Sequence, residues 1–126
     1  MTERQRALLD KAARALEAAR ANLNRDDAET AVNRAYYAAY YAATAALLGV
    51  GETPKTHSGA HRRFSLRFVV TGQIAPEVGQ TLEAAFRIRQ RADYESLVVT
   101  DVRAAADLVA DVERFVDAVV QLVHEA

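Results

Sequence analysis

Apolar residues recur along this chain at intervals of three and four. Leu9, Ala12, Leu16, Ala19 and Leu23 share one face of a helix spanning about residues 2–23, which Asn24 closes. Asp26 and Asp27 are N-cap candidates for a second helix, whose body "AVNRAYYAAYYAATAALL" is small or aromatic on nearly every side. A helix apolar all round belongs at the centre of a domain. Its tyrosine pairs, Tyr36/Tyr37 and Tyr40/Tyr41, repeat at four and form two adjacent stripes. These are core or interface anchors, with hydroxyls able to reach a polar pocket.

"GVGETPKTHSG" reads as a connecting loop, after which His61, Phe64, Ser65 and Phe68 mark one face of a short third helix ending near Gly72. Pro76, suited to a first turn, opens a fourth helix through "EVGQTLEAAFRIRQRAD". Thr100 is a natural N-cap for the fifth, with Asp101 beside it to complement the helix dipole. There Val102, Ala105, Val109, Val112, Val116, Val119 and Val123 keep heptad order, flanked by Leu108, Phe115 and Leu122. That surface is wider than one partner helix covers, so the fifth helix either sits deep in a bundle or contributes to a dimer. The expected fold is all-α: an antiparallel up-and-down bundle of four main helices plus a short one, in a single domain over residues 1–126.

Composition narrows the chemistry. A chain of 126 residues buries a real core without disulfides or metal. With no cysteine, thiolate zinc sites and thiol catalysis are excluded. The charged N-terminus lacks the apolar core of a signal peptide, and the longest uncharged run, residues 35–51, falls short of the ~20 strongly apolar residues that span a bilayer. A cytoplasmic protein without membrane association is therefore expected. Net charge is only −1, but residues 53–76 carry Lys55, Arg62, Arg63 and Arg67 with no acid, a segment that could face an anion or simply be a solvated helix face. His57 and His61, four apart, share a helical face. No cysteine, third histidine or acidic partner completes a tetrahedral set, so neither metal nor cofactor is expected.

The stretch "FRIRQRADYES" holds the most informative cluster. At 100° per residue, Val78, Leu82, Ala85 and Phe86 form the inward stripe of the fourth helix, and Arg89, Ala92 and Asp93 continue it. Arg87, Arg91 and Tyr94 point nearly opposite, at spacings that allow a guanidinium to stack on the ring. An inward guanidinium needs a partner, and Asp93 stands at i+4. Either the pair satisfies itself at the core's edge, or Arg89 presents its planar fork to a phosphate with Asp93 orienting it.

The succession "NRAYYAAYYAATAALL", "KTHSGAHRRF", "FVVTG", "RQRADY" resembles the prokaryotic HEPN-domain proteins, a small helical family named for higher eukaryotes and prokaryotes nucleotide-binding, over roughly residues 5–122. The resemblance implies a helical bundle, commonly a homodimer with its cleft at the interface. It also implies either a metal-independent RNase of a toxin–antitoxin pair or a partner of a minimal nucleotidyltransferase. The family's usual signature is Arg, four to six residues, then His, the arginine stabilising phosphate charge and the histidine moving protons. Here no histidine lies between His61 and His124, and the motif reads RxxADY. The resemblance thus carries over Arg89, Asp93 and Tyr94 as the candidate site, with Arg89 and Asp93 as the catalytic pair; His57 or His61 could substitute for the missing histidine, and His57, Arg87 and Arg91 join Tyr94 as ligand-binding candidates for RNA or a nucleotide. Tyr94 is also the candidate target for nucleotide transfer by the partner. Whether the chain cleaves RNA, binds it, or serves as a non-catalytic dimerisation module stays open at this level.

Overall fold

The computed structural model describes residues 1–94 and 101–125. Five helices follow in order: α1 (Glu3–Asn24), α2 (Ala28–Gly49), α3 (His57–Phe64), α4 (Pro76–Tyr94) and α5 (Val102–Glu125), with a π-helical turn, Ser65–Val69, directly after α3.

Local signals set most boundaries. Thr2 and Gln5 cap α1 reciprocally, each side chain accepting from the other's backbone N–H at 3.1 and 2.9 Å. Three residues link α1 to α2, and the short polar Asp26 takes the left-handed conformation there, at φ 59°. Of the two aspartates, Asp27 is the N-cap, accepting from Thr30 N. The third helix starts at His57, inside the stretch read as loop, because Thr56 accepts from Gly59 N at 2.9 Å and caps it there. At α5, Asp101 does the work expected of its neighbour, accepting from Arg103 N at 3.0 Å. Thr100 lies outside the described residues.

Helix directions follow from what meets at each end. Gln5, near the start of α1, donates from Nε2 to Ala45 O near the end of α2, so the two run antiparallel. Gln5, Gly49, Phe68 and Val123 line one hollow, which brings the end of α5 to the same end of the molecule. Gly79, early in α4, lies against Val69 beside that hollow, while Arg89 further on reaches Tyr36 and Tyr37 in the first half of α2. Thus α1 and α4 run one way and α2 and α5 the other, an up-and-down bundle. Its diagonal pair α2 and α5 are in close contact, because α2 presents alanine where a larger residue would hold them apart.

Two phase expectations fail for identifiable reasons. Ser65 is exposed although Phe64 and Phe68 are buried, since the π turn rotates the chain off α-helical phase. Val102 stands exposed at the first turn of α5, ahead of the bundled part of the seam. The flanking Leu108 and Phe115 are buried, with the Phe115 ring 5.3 Å from Phe64, so the wide apolar face of α5 is taken up within its own bundle. The acid-free basic segment is partly neutralised too: Glu52, just before it, accepts from Arg63 and pairs with Arg67 at 3.2 Å.

Candidate functional site

The side chains that converge most closely come from α2, α3 and α4. Tyr36 is fully buried, and its hydroxyl lies 2.5 Å from His57 Nδ1 and 3.0 Å from His61 Nε2. Placing two residues four apart at the start of α3 brings both imidazoles to one face, and that face meets this hydroxyl. The His57 ring stacks on Tyr40, centroids 4.5 Å apart, and on Phe86 at 5.8 Å. His61 meets Phe86 edge-on at 5.0 Å.

Arg89 approaches the same rings from α4. Its guanidinium carbon lies 5.3 Å from the centroids of Tyr36 and Tyr37 and 5.9 Å from that of Phe86. Nε donates to Asp93 Oδ2 at 3.1 Å, and Nη1 to the Tyr37 hydroxyl at 3.4 Å. Only 16% of the side chain is exposed, whereas Asp93 sits at the rim. The inward phase of Arg89 and its i+4 pairing are therefore as expected.

Electrostatics sort the titratable groups. Burial pushes the Tyr36 phenol well above its ordinary value, Tyr40 and Tyr37 adding to the shift and Arg89 opposing it, so the hydroxyl remains protonated. Burial and then the positive charge of Arg89 hold His57 below the ordinary imidazole value. His61 is lowered by burial and by His57, while Glu83 pulls it back upward. Burial disfavours the charge on Arg89, but the bond to Asp93 and the nearby Tyr37 outweigh it and strengthen its hold on the proton. Neutral imidazoles beside a fixed guanidinium can exchange protons next to a site for negative charge.

The structure brings Arg89, Asp93 and His57 together and leaves the other candidates elsewhere. Arg87 is paired with Glu83 at 3.2 Å, and with Gln90, Arg91 and the largely exposed Tyr94 it lines a shallow depression on the outer face of α4. Arg87 also borders the groove that His61 and Phe86 line, whereas Arg91 and Tyr94 line the outer depression. Tyr36, Tyr37, Glu83 and Phe86 belong to the site's surroundings without having been singled out for it, and His61, the alternative to His57 for proton transfer, stands among them. The available signals were the four-residue spacing of the histidines and a tyrosine hydroxyl on a helix with no polar face.

A second set of cations borders the cluster. Arg34 lies 5.2 Å from the Tyr37 centroid, and Lys11 lies 5.2 Å from that of Tyr41, in a depression also lined by Arg14. The rings of Tyr37 and Tyr41 are 5.9 Å apart, so cations and aromatics continue from Arg89 across α2 to α1. Among the described residues no group of three or more histidines and carboxylates gathers where it could hold a metal ion, and no helix is long and apolar enough to cross a membrane.

Comparison with known proteins agrees with the fold. A family model described as the HEPN domain matches residues 5–123. A UPF0332 protein of Thermotoga maritima is 34% identical over 110 residues, covering 87% of this chain and 83% of its own. A Methanocaldococcus jannaschii protein named "Putative toxin MJ0605" is 32% identical over 123 residues, 98% of this chain and 91% of its own. A UPF0332 protein of Gloeobacter violaceus is 35% identical over 94 residues, 75% of each chain.

Proposed function

Because the chain belongs to the HEPN domain family, we propose that it acts as a toxin-type component that binds the phosphate backbone of single-stranded RNA at Arg89. The observation that carries this reading is the setting of that guanidinium, largely withdrawn from water, stacked among three rings, and next to a pair of neutral imidazoles. A plain ion pair with Asp93 would account for Arg89 alone. It does not account for the histidines or for the cation and tyrosine belt leading away from them, which suits bases stacking on aromatic faces beside a charged backbone.

A relative named as a toxin supports the biological setting. The same proposal carries a minimal nucleotidyltransferase as the restraining partner, a homodimer as the working state, and the cytoplasm as the place of action. Metal-independent RNA cleavage is the second reading, favoured by His57, which can take the proton-transfer role that the usual motif histidine fills. An exposed carboxylate such as Asp93 would repel the phosphate, so its part is to orient Arg89.

Binding of a fluorescent single-stranded RNA to the wild type and to Arg89→Ala tests the proposal. Loss of a charged hydrogen-bonding group should weaken binding about tenfold or more and flatten the salt dependence by about one phosphate contact. Equal affinity and equal salt slope in the two proteins would end it. The cleavage reading requires RNA hydrolysis by the wild type, with chelator present, that exceeds that of Arg89→Ala.

A further inference from the structure

Tyr36 carries one hydroxyl proton and faces two imidazole nitrogens, so it cannot donate to both. One ring must instead donate its own N–H to the Tyr36 oxygen. This leaves two arrangements of the neutral site. In the first, His57 Nδ1–H donates to Tyr36, whose hydroxyl donates to His61 Nε2, and both rings carry their proton on Nδ1. In the second, Tyr36 donates to His57 Nδ1 and accepts from His61 Nε2–H, and both rings carry it on Nε2. A mixed pair, one ring of each kind, leaves a close contact with no proton in it or with two.

The far nitrogens complete the chain. Among the described residues no buried side-chain nitrogen or oxygen lacks a partner, and His57 Nε2 and His61 Nδ1 have no hydrogen-bond partner, so both reach solvent. His57 lies within electrostatic reach of Arg89, while His61 lines a groove between α3 and α4 together with Glu83, Arg62 and Arg87.

We propose that His57, Tyr36 and His61 form a proton relay linking the Arg89 cluster to the α3–α4 groove, with Tyr36 as its positioning residue. The step balances as follows. From the first arrangement, His57 Nε2 takes a proton from a donor such as a ribose hydroxyl. His57 Nδ1 passes its proton to the Tyr36 oxygen, and the Tyr36 hydroxyl proton passes to His61 Nε2. Tyr36 ends as a neutral phenol, His57 as a neutral ring, and His61 carries the positive charge. The reverse sequence returns a proton through His57 Nε2 to an oxygen on the Arg89 side.

Charge distinguishes the two ends. Burial opposes an imidazolium at both rings; beyond that, one at His57 is opposed by Arg89, while one at His61 is opposed by His57 and favoured by Glu83, itself paired with Arg87. Tyr37 and Tyr40 are the other titratable groups whose rings lie against His57. The relay thus moves charge away from Arg89 and toward the Glu83 side. A second proton on the pair would make both rings donors to Tyr36 and strand its own buried hydrogen, so the pair takes up one proton and resists another.

The relay rests on the RNA reading only for the identity of the proton donor. Its test uses the free protein: nitrogen chemical shifts of His57 and His61, followed against pH in the wild type and in Tyr36→Phe. In the wild type the neutral rings should be of one kind, and uptake of the first proton should move the nitrogen shifts of both rings over a single shared transition, His61 gaining the charge while His57 changes tautomer. Tyr36→Phe should split this into two independent transitions. Rings of opposite kinds, or separate transitions in the wild type, overturn the relay, and the wild-type spectra decide this even if the variant does not fold. Paired titration together with RNA binding indifferent to Arg89→Ala would keep the relay and remove its substrate. Unpaired titration with Arg89-dependent binding would do the reverse.

Discussion

Burial gives the two imidazoles of α3 a definite sign in the pH dependence of stability. Both hold a proton less firmly than the ordinary value of 6.5 found in an unfolded chain. As pH falls through that value the unfolded chain takes up protons first, so stability is full above it and declines until the folded rings protonate as well. The denaturant midpoint should therefore fall between about pH 8 and pH 5, and a His57→Gln, His61→Gln double variant should flatten that decline. Glu52 is lowered too, by the bond from Arg63, so its contribution is likewise lost as pH falls, in a separate window below its ordinary 4.5. An unchanged slope in the double variant would show that the rings are not buried in this way. The pairing of Arg89 with Asp93 was readable in advance because i+4 geometry is local. The meeting of Tyr36 with His57 and His61 was not, since it spans 21 and 25 residues and depends on where α3 docks.

Where α3 docks is decided by an element that periodicity did not anticipate. The π turn after α3 carries Val69 against the start of α4, and a Cβ on Gly79 would stand 2.4 Å from Val69 Cγ2. Alanine for glycine in a helix ordinarily gains up to about 1 kcal/mol, but forcing extra volume into a packed contact costs about 1–3 kcal/mol. Gly79→Ala should thus destabilise by about 1 kcal/mol, and Val69→Ala in the same chain should recover part of the loss. A stabilised single variant in chemical unfolding would refute this contact. In α5 the heptad order was legible, and so was the surplus of apolar surface. Only the packing of Phe115 against Phe64 shows that the surplus is spent inside the bundle. Phe115→Ala should therefore cost about 3–5 kcal/mol, and a charge there should unfold the chain rather than dissociate a dimer. Sedimentation and circular dichroism on Phe115→Asp would separate the two.

For the molecule as a whole, the all-helical class and the central place of α2 followed from a helix with no polar face. Helix directions did not, because they depend on which ends meet. Helix α2 meets both α1 and α5 closely, and its alanines such as Ala39 and Ala42 have no exposed surface. Ala42→Leu should cost about 1–3 kcal/mol, while the same change at the exposed Ala13 should stay within about 0.5 kcal/mol. Equal tolerance at the two positions, read from thermal unfolding, would contradict a diagonal set by side-chain size. An alanine lining is also closed in both directions. Anything larger pushes the helices apart, and the one smaller residue, glycine, costs about 1 kcal/mol at each helical position. Helix α2 therefore has the narrowest vocabulary in the protein. A library randomised over its buried alanine positions should return alanine almost alone, while the outer faces of α1, α4 and α5 drift freely around it.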